Sequence, residues 1–194
     1  RAAEEPGYSL VAEEGDFEIR RYPELVIART TVAAEDRDAA VGTGFGRLFD
    51  YITGENGGWR DAPGREGGEI EMTAPVIVED AEGGEIAMTA PVLVEGEGGA
   101  WTTAFVLPDD ATIETAPIPS SPEVELATIA PREVGVVRFS GFLSAENVAE
   151  NRARLDAWLA GRGRAHADDW QSAGYNPPWT LPFLRRNEVL VTLE

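Results

Sequence analysis

The chain has 194 residues, no cysteine and one histidine, and its 16 basic residues are all Arg against 35 Asp and Glu, which sets the formal net charge at −19. This charge argues against nucleic-acid binding, and the lack of Cys excludes disulfides, thiolate metal sites and covalent haem attachment. A single His excludes a multi-histidine metal site, and no apolar run approaches the roughly 18 residues that a membrane-spanning helix needs.

The acidic excess without Lys has two explanations. It suits a high-salt cell, where screening suppresses repulsion between carboxylates, or it reflects a GC-rich genome that replaces Lys with Arg. The chain begins Arg1-Ala2-Ala3 without Met, and we assign residues 1–7 to a leader or tail. We expect a periplasmic or otherwise exported protein if this start is a processed one, and a cytoplasmic protein otherwise.

The first predicted helix lies at about 36–53, after strands that begin near residue 16. Apolar residues recur there at the 3.6-residue period of an amphipathic helix, and Gly54 suits its end. The apolar face holds Val41, Phe45, Leu48, Phe49 and Ile52.

Three glycines interrupt this helix at positions 42, 44 and 46. Each costs the helix roughly 1 kcal/mol relative to Ala, so each needs a reason. One interpretation is close packing of the helix on a sheet. The other is a thinned wall, where a flat ligand lies against the backbone beside Phe45 and Phe49.

A short repeat follows the helix. The segment from Ile70 to Glu79 recurs from Ile86 to Glu95, with a Gly83-Gly84 turn between the copies. Each copy is β-branched and apolar, which predicts two strands at about 69–79 and 85–95, followed by a third at 100–107. A linker rich in Pro and Ser, residues 108–122, is expected to cross the surface.

The second half repeats the first more loosely, and we delimit the pseudo-repeats at about 16–107 and 122–193. Val148, Leu155 and Leu159 mark a second helix, with Ser144 as its N-cap and Gly161 at its end. Strands are expected near 165–172 and 187–193. Two such units, burying sheet faces and helix stripes together, predict an α+β fold with a mostly antiparallel sheet.

The densest feature is the segment from Tyr175 to Glu188, which holds three prolines, three aromatic residues and the Arg185-Arg186 pair. It is either a rigid loop that caps a barrel, or an aromatic wall with a cationic rim for a planar, acidic ligand. His166 is the one imidazole available to iron, although its polar neighbourhood is more typical of a solvated residue.

Several motifs in register resemble the SOUL haem-binding protein family, over residues 8–193. They are Phe17 to Pro23, Met72-Thr73-Ala74-Pro75-Val76 and its copy from Met88, Phe105 to Pro108, Phe139-Ser140-Gly141, Tyr175 to Trp179 and Arg185 to Glu188. The duplicated Met-Thr-Ala-Pro-Val resembles bacterial members particularly. The resemblance implies one domain, residues 8–194. Its expected fold is a distorted eight-stranded antiparallel barrel with two helices, built from two strand–helix–strand–strand repeats and similar to GyrI-like modules.

The resemblance also implies non-covalent binding of haem or another tetrapyrrole, as a carrier, buffer or sensor, by the first helix and by the loop before the last strand. We therefore expect a non-enzymatic binder by default, with no catalytic residue assigned. Two alternatives stay open: a haem-degrading enzyme with His166 as proximal ligand, and a GyrI-like module that binds another small molecule or a protein. The predicted cofactor-binding residues are Phe45, Arg47, Phe49, Tyr175, Trp179, Phe183, Arg185 and Arg186, with His166 as the metal candidate.

Overall fold

The computed structural model describes residues 5–60, 67–70, 76–80, 99–176 and 179–194. Within these ranges the chain forms nine strands and two α-helices. In chain order they are β1 (Ser9–Glu14), β2 (Phe17–Tyr22), β3 (Leu25–Ala33), α1 (Arg37–Ile52), β4 (Val76–Asp80), β5 (Ala100–Val106), β6 (Glu125–Ile129), β7 (Arg132–Phe139), α2 (Ala145–Gly161), β8 (Gln171–Gly174) and β9 (Asn187–Thr192). Neither helix of the described residues is long and apolar enough to cross a membrane.

The nine strands form one antiparallel sheet in the order β1-β2-β7-β9-β8-β4-β5-β3-β6. Strands β2 and β3 lie six places apart in this order, yet only Pro23 and Glu24 separate them in the chain. A flat sheet would put them about 29 Å apart, whereas three residue steps span about 11 Å at most. The sheet must therefore curl into a half-barrel with an inner face, and Ala130-Pro131 imposes the same closure on β6 and β7.

The strand order records an internal duplication. Strands β2 to β5 with α1 form one unit, and β6 to β9 with α2 form the other. The two units occupy equivalent positions in the sheet. If each strand of one unit is replaced by its counterpart in the other, the same order of eight strands is obtained, read from the opposite edge; for example, β2 pairs with β7 as β6 pairs with β3. The predicted antiparallel α+β fold is confirmed.

Two details of the predicted architecture differ. The sheet has nine strands instead of eight, because β1 adds a strand at the edge beside β2, and each unit has two strands before its helix instead of one. The sheet is also an open half-barrel, since β1 and β6 end its order without pairing to each other within the described residues.

Local sequence explains where the helices begin and end. Asp36 caps α1, its carboxylate accepting from the N–H of Ala39 at 2.8 Å, and Ser144 caps α2 as predicted. Gly54 follows α1 with a positive φ of 126°, a backbone conformation that favours glycine. Helix α2 ends at Gly161 as predicted, and the positive φ of 65° that follows it is at Gly163.

Both helices pack on the same face of the sheet. Leu48, Tyr51 and Ile52 of α1 cover β3 and β5, and Leu155 and Leu159 of α2 cover β7 and β9. Three of the predicted core residues, Val41, Phe45 and Val148, are only half-buried. The opposite, inner face has its own apolar cluster, drawn from eight of the nine strands.

The linker at 108–122 was expected on the surface, and this expectation was wrong in part. Ala111 and Ala116 are buried in the cluster beneath α1. Small side chains allow this polar segment to pack closely against the helix. The predicted strand at 85–95 and both Met-Thr-Ala-Pro segments lie outside the described residues, and β4 begins at Val76.

Candidate functional site

Two predicted aromatic residues lie on α1, and the sheet fixes one of them. Phe45 packs edge-on against Phe105 of β5, with ring centroids 5.3 Å apart. Phe49 stacks on Phe45 at 6.1 Å and remains 40% exposed. Phe45 therefore holds Phe49 at the edge of the helix, with an aromatic ring open to solvent.

The three glycines of α1 differ in the space around them. A Cβ on Gly44 would lie 2.7 Å from Oγ1 of Thr103, so close packing on the sheet requires glycine there. A Cβ on Gly42 or Gly46 would meet nothing within 4 Å. Packing therefore explains Gly44 but not Gly42 or Gly46. These two glycines lie on an open side of α1 that continues to Phe49.

Arg47, the predicted cation on α1, is directed towards the sheet edge. Its Nη2 donates to Oε1 of Glu123 at 2.6 Å, and its Nη1 donates to Oγ1 of Thr30 at 3.3 Å. A ligand carboxylate would have to compete with Glu123 for this guanidinium.

The loop before β9 carries the most exposed apolar side chains of the described residues. We use the name loop surface for the exposed apolar residues of this loop together with one residue of the β7–α2 connection, Phe142. Their exposed fractions are 57% for Phe142, 83% for Trp179, 56% for Leu181, 70% for Phe183 and 62% for Leu184. The N–H of Gly141 donates to the carbonyl of Pro182 at 2.8 Å, which joins the two segments. Exposed apolar surface of this density is typical of a binding site.

Arg185 lies at the rim of the loop surface. Its guanidinium sits over the ring of Phe142 at 5.3 Å, and its Nε donates to the carbonyl of Thr180 at 2.8 Å. The loop surface thus combines aromatic side chains with a cation that the fold holds beside them.

The base of the same loop is a buried ion cluster that the sequence did not predict. Arg20, which is fully buried, donates from Nη1 and Nη2 to the two carboxylate oxygens of Glu188 at 2.8 Å each. The Nε of Arg20 also donates to Glu18. In β9 the charge of Glu188 precedes an apolar run, which was the available signal, whereas half of the residues of β2 are charged and Arg20 does not stand out there.

Tyr175 and Arg186, both predicted for the ligand site, belong to this cluster. The hydroxyl of Tyr175 donates to Oε2 of Glu188 at 2.6 Å, and Arg186 stacks over the Tyr175 ring at 4.0 Å while donating to Oε1 of Glu188 at 2.8 Å. Burial opposes ionisation of Glu188, but the hydrogen bonds and charge of Arg20 outweigh it and keep the pKa of this carboxyl below its ordinary value. Burial raises the pKa of the Tyr175 hydroxyl well above 10.

The predicted residues therefore divide between two faces of the sheet. Phe45 and Phe49 lie on the face that carries the helices, whereas Tyr175 packs against the inner cluster.

Arg37 joins α1 to the loop region, since its Nη1 donates to the carbonyl of Leu143, next to Phe142, at 2.9 Å. Phe45 lies about 12 Å further along the helix axis from Arg37.

His166 uses both ring nitrogens within the protein. Its Nδ1 lies 2.6 Å from the carbonyl of Ala167, and its Nε2 lies 2.9 Å from Oδ1 of Asp156. These acceptors favour the protonated ring, and the bond to Ala167 is the largest cause of a raised pKa. Iron ligation would have to break one of these bonds. Among the described residues there is no cluster of three or more His, Asp or Glu suited to a metal ion.

A shallow polar cleft of about 350 Å³ lies elsewhere, between the β1–β2 turn and α2. Its walls include Arg138 and Arg154, which are paired with Glu18 and Asp16 respectively. None of the predicted site residues lines this cleft. Its polar walls and balanced charges do not suit a large apolar ligand.

Comparison with known proteins connects this geometry to a family. A family model described as SOUL heme-binding protein matches residues 3–84 and 78–192. The chain belongs to the SOUL heme-binding protein family. It is 30% identical to Heme-binding protein 2 of Homo sapiens over 198 residues, which cover 97% of this chain and 85% of that protein.

Heme-binding protein 2 of Mus musculus is 29% identical over 178 residues, covering 90% of this chain and 77% of that protein. Among solved structures, the EcmrR C-terminal domain has a TM-score of 0.60 at 10% identity, covering 96% of this chain and 98% of that domain. At 10% identity, the similarity to the EcmrR C-terminal domain supports the GyrI-like fold alone. SOUL family membership supports haem as the ligand class at the level of the family.

Proposed function

We propose that this SOUL-family protein binds haem non-covalently on the loop surface, with the open side of α1 as a second wall. The observation that carries the proposal is the exposed apolar cluster of Phe142, Trp179, Leu181, Phe183 and Leu184 in a member of a haem-binding family. Gly42, Gly46 and Phe49 add a flat surface on α1 that packing does not require.

Apolar burial supplies most of the binding free energy in this proposal. Each 100 Å² of aromatic and aliphatic surface covered by a porphyrin face contributes about 2.5 kcal/mol before ordering costs are subtracted. The loop needs little ordering, because the Gly141–Pro182 and Arg185–Thr180 hydrogen bonds already hold it. A preformed apolar surface therefore favours a flat ligand.

The two propionates of haem carry negative charge towards a protein of net charge −19. Local cations must offset this repulsion, and Arg185 is our candidate because it borders the loop surface. Arg47 and Arg186 would first have to release Glu123 and Glu5. Salt screens the general repulsion, so hemin affinity should rise with moderate salt.

The exposed position of this site favours a carrier or a buffer. Ligand on an open surface exchanges readily with partners, whereas a haem-degrading enzyme must enclose the reacting iron and its oxygen. Because His166 is held by Ala167 and Asp156, we propose that apolar contact rather than iron ligation dominates the affinity.

Hemin titration of site variants, followed by the Soret band, tests the proposal. We expect Trp179→Ala, Phe183→Ala and Phe49→Ala each to weaken binding about tenfold, equal to about 1.4 kcal/mol, because each removes part of an apolar wall. His166→Ala should change little. Ile118→Ala is the matched control, since Ile118 is 54% exposed outside the proposed site.

The outcomes separate the alternatives. Loss in the loop variants alone would restrict the site to the loop surface, and loss in Phe49→Ala alone would move it to α1. If His166→Ala alone abolishes the Soret shift, iron coordination controls binding and the proposed site is wrong. Equal weakening by Ile118→Ala would show non-specific adsorption.

A further inference from the structure

The segment before β1 covers the end of the inner face. Residues 5–8, which we call the N-terminal strap, include three that the sequence assigned to a leader. Oε2 of Glu5 accepts from Nη1 of Arg186 at 3.0 Å, and the N–H of Gly7 donates to Oδ2 of Asp109 at 3.4 Å. Pro6 between them is buried. The strap thus reaches from the loop before β9 to the loop after β5.

Beneath the strap, two guanidinium groups lie side by side. Nη2 of Arg20 and Nη2 of Arg186 each donate to the same oxygen, Oε1 of Glu188, at 2.8 Å. The strap presents a different group to each cation. The ring of Tyr8 lies 4.4 Å from Cζ of Arg20, and the carboxylate of Glu5 pairs with Arg186.

Three tyrosines surround these cations. Tyr8 lies 5.3 Å from Tyr22, centroid to centroid, and the ring centroid of Tyr175 lies 4.0 Å from Cζ of Arg186. The strap therefore fills an aromatic and cationic site with one ring and one carboxylate. A single small molecule that carries both groups could make the same two contacts.

The strap contacts are weak compared with those beneath them. The Glu5–Arg186 pair is partly exposed, at 42% and 33% of the two side chains, and such pairs contribute about 0–1 kcal/mol. Tyr8 is 38% exposed, but its ring lies over the buried guanidinium of Arg20, and a cation–π contact of this kind contributes about 1–2 kcal/mol. The buried Arg20–Glu188 and Arg20–Glu18 pairs do not depend on the strap. It can therefore leave without unpairing the buried charges.

We propose that this end of the inner face is a binding site for a small aromatic carboxylate, which displaces the N-terminal strap. The ring of the ligand takes the position of Tyr8 over Arg20, and its carboxylate takes the position of Glu5 on Arg186. The site shares no residue with the loop surface and does not rest on the haem proposal. A neutral aromatic compound lacks the group that Arg186 binds, and an aliphatic acid lacks the ring.

Phenylacetate is the probe, and titration of the 194-residue chain by NMR is the measurement. The double variant Glu5→Gln/Tyr8→Ala should bind phenylacetate about tenfold more tightly than the wild-type chain, because the tethered competitor is removed. Phenylacetamide and acetate should each bind the double variant at least about tenfold more weakly than phenylacetate.

Adding Arg186→Gln to the double variant should abolish phenylacetate binding. Arg21→Gln is the matched control, because Arg21 is an exposed arginine on β2 that pairs with Glu133. Binding that is no tighter in the double variant, or equal for phenylacetamide and phenylacetate, would overturn the proposal. The comparison of the two probes stays decisive even if Arg186→Gln disturbs folding.

Discussion

The segment from Tyr175 to Glu188 joins two regions of opposite character. At its base, Tyr175, Arg186 and Glu188 take part in a buried cluster in which each charge meets an opposite one. At its tip, Trp179 and Phe183 are among the most exposed apolar side chains of the described residues. The same loop therefore pairs the buried charges at its base and leaves a large apolar surface uncovered at its tip.

This difference indicates a division of labour. A buried, bidentate ion pair has one favourable geometry, so it holds both ends of the loop in place. The apolar tip gains nothing from exposure to water, and only a ligand or partner would stabilise it. The base therefore reduces the ordering cost of binding at the tip.

The largest expected effect comes from breaking the base. Glu188→Ala leaves Arg20 with Glu18 alone in a buried site, and we expect a loss of about 3–5 kcal/mol in the free energy of unfolding. Urea denaturation measures it. Asp168→Ala breaks the exposed Arg152–Asp168 pair and should cost less than about 1 kcal/mol. Similar losses in both variants would remove the contrast between buried and exposed regions.

An intermediate effect compares the closed and open sides of α1. Gly44→Ala places a methyl group 2.7 Å from Oγ1 of Thr103 and should destabilise the protein by about 1–3 kcal/mol. Gly46→Ala meets no atom within 4 Å and should stabilise it by about 0.5–1 kcal/mol, while weakening hemin binding. Thermal denaturation and hemin titration of this matched pair test whether Gly46 serves the ligand. A stabilised Gly46→Ala variant with unchanged hemin affinity would exclude α1 from the site.

The smallest expected effect concerns pH. The pKa of His166 is raised in the folded protein, chiefly by the hydrogen bond to Ala167. The protonated ring of His166 stabilises the fold fully when the pH is below the ordinary histidine pKa of about 6.5. This stabilisation is lost as the pH rises through the raised pKa of the folded protein. Wild type should exceed His166→Asn in stability by a few tenths of a kcal/mol at about pH 5.5, and less at about pH 8.5. A constant difference across this range would show that folding does not raise the pKa of His166.

The periodic features of the sequence predicted the fold well. The two helices, the caps of Gly54 and Ser144, and the antiparallel α+β architecture follow from apolar spacing and local capping chemistry. The extra strand β1 was not predicted, because much of Ser9–Glu14 is exposed and lacks an apolar alternation.

The candidate site was harder to predict, because its cations depend on long-range partners. Arg185 and Arg186 are neighbours in the chain, yet Arg185 lies beside Phe142 while Arg186 lies over Tyr175 and pairs with Glu5. In an extended chain, neighbouring side chains point to opposite faces, which predicts that the two arginines separate. No local pattern shows which of the two faces holds a buried carboxylate. Arg20 was missed for the same reason, since its partner Glu188 lies 168 residues away.

The exchange of strands between the two halves also sets how this chain folds. Each half lends its first strand to the other, as in an intramolecular domain swap, with Phe17 opposite Val137 and Leu25 opposite Ile129. Neither half completes its own sheet, so unfolding should be a single cooperative transition, and the many distant pairings should make folding slow. Cleavage between residues 108 and 122 would give two fragments that stay interlocked through the β2–β7, β3–β6 and β4–β8 ladders, equivalent to a strand-swapped dimer of two half-proteins.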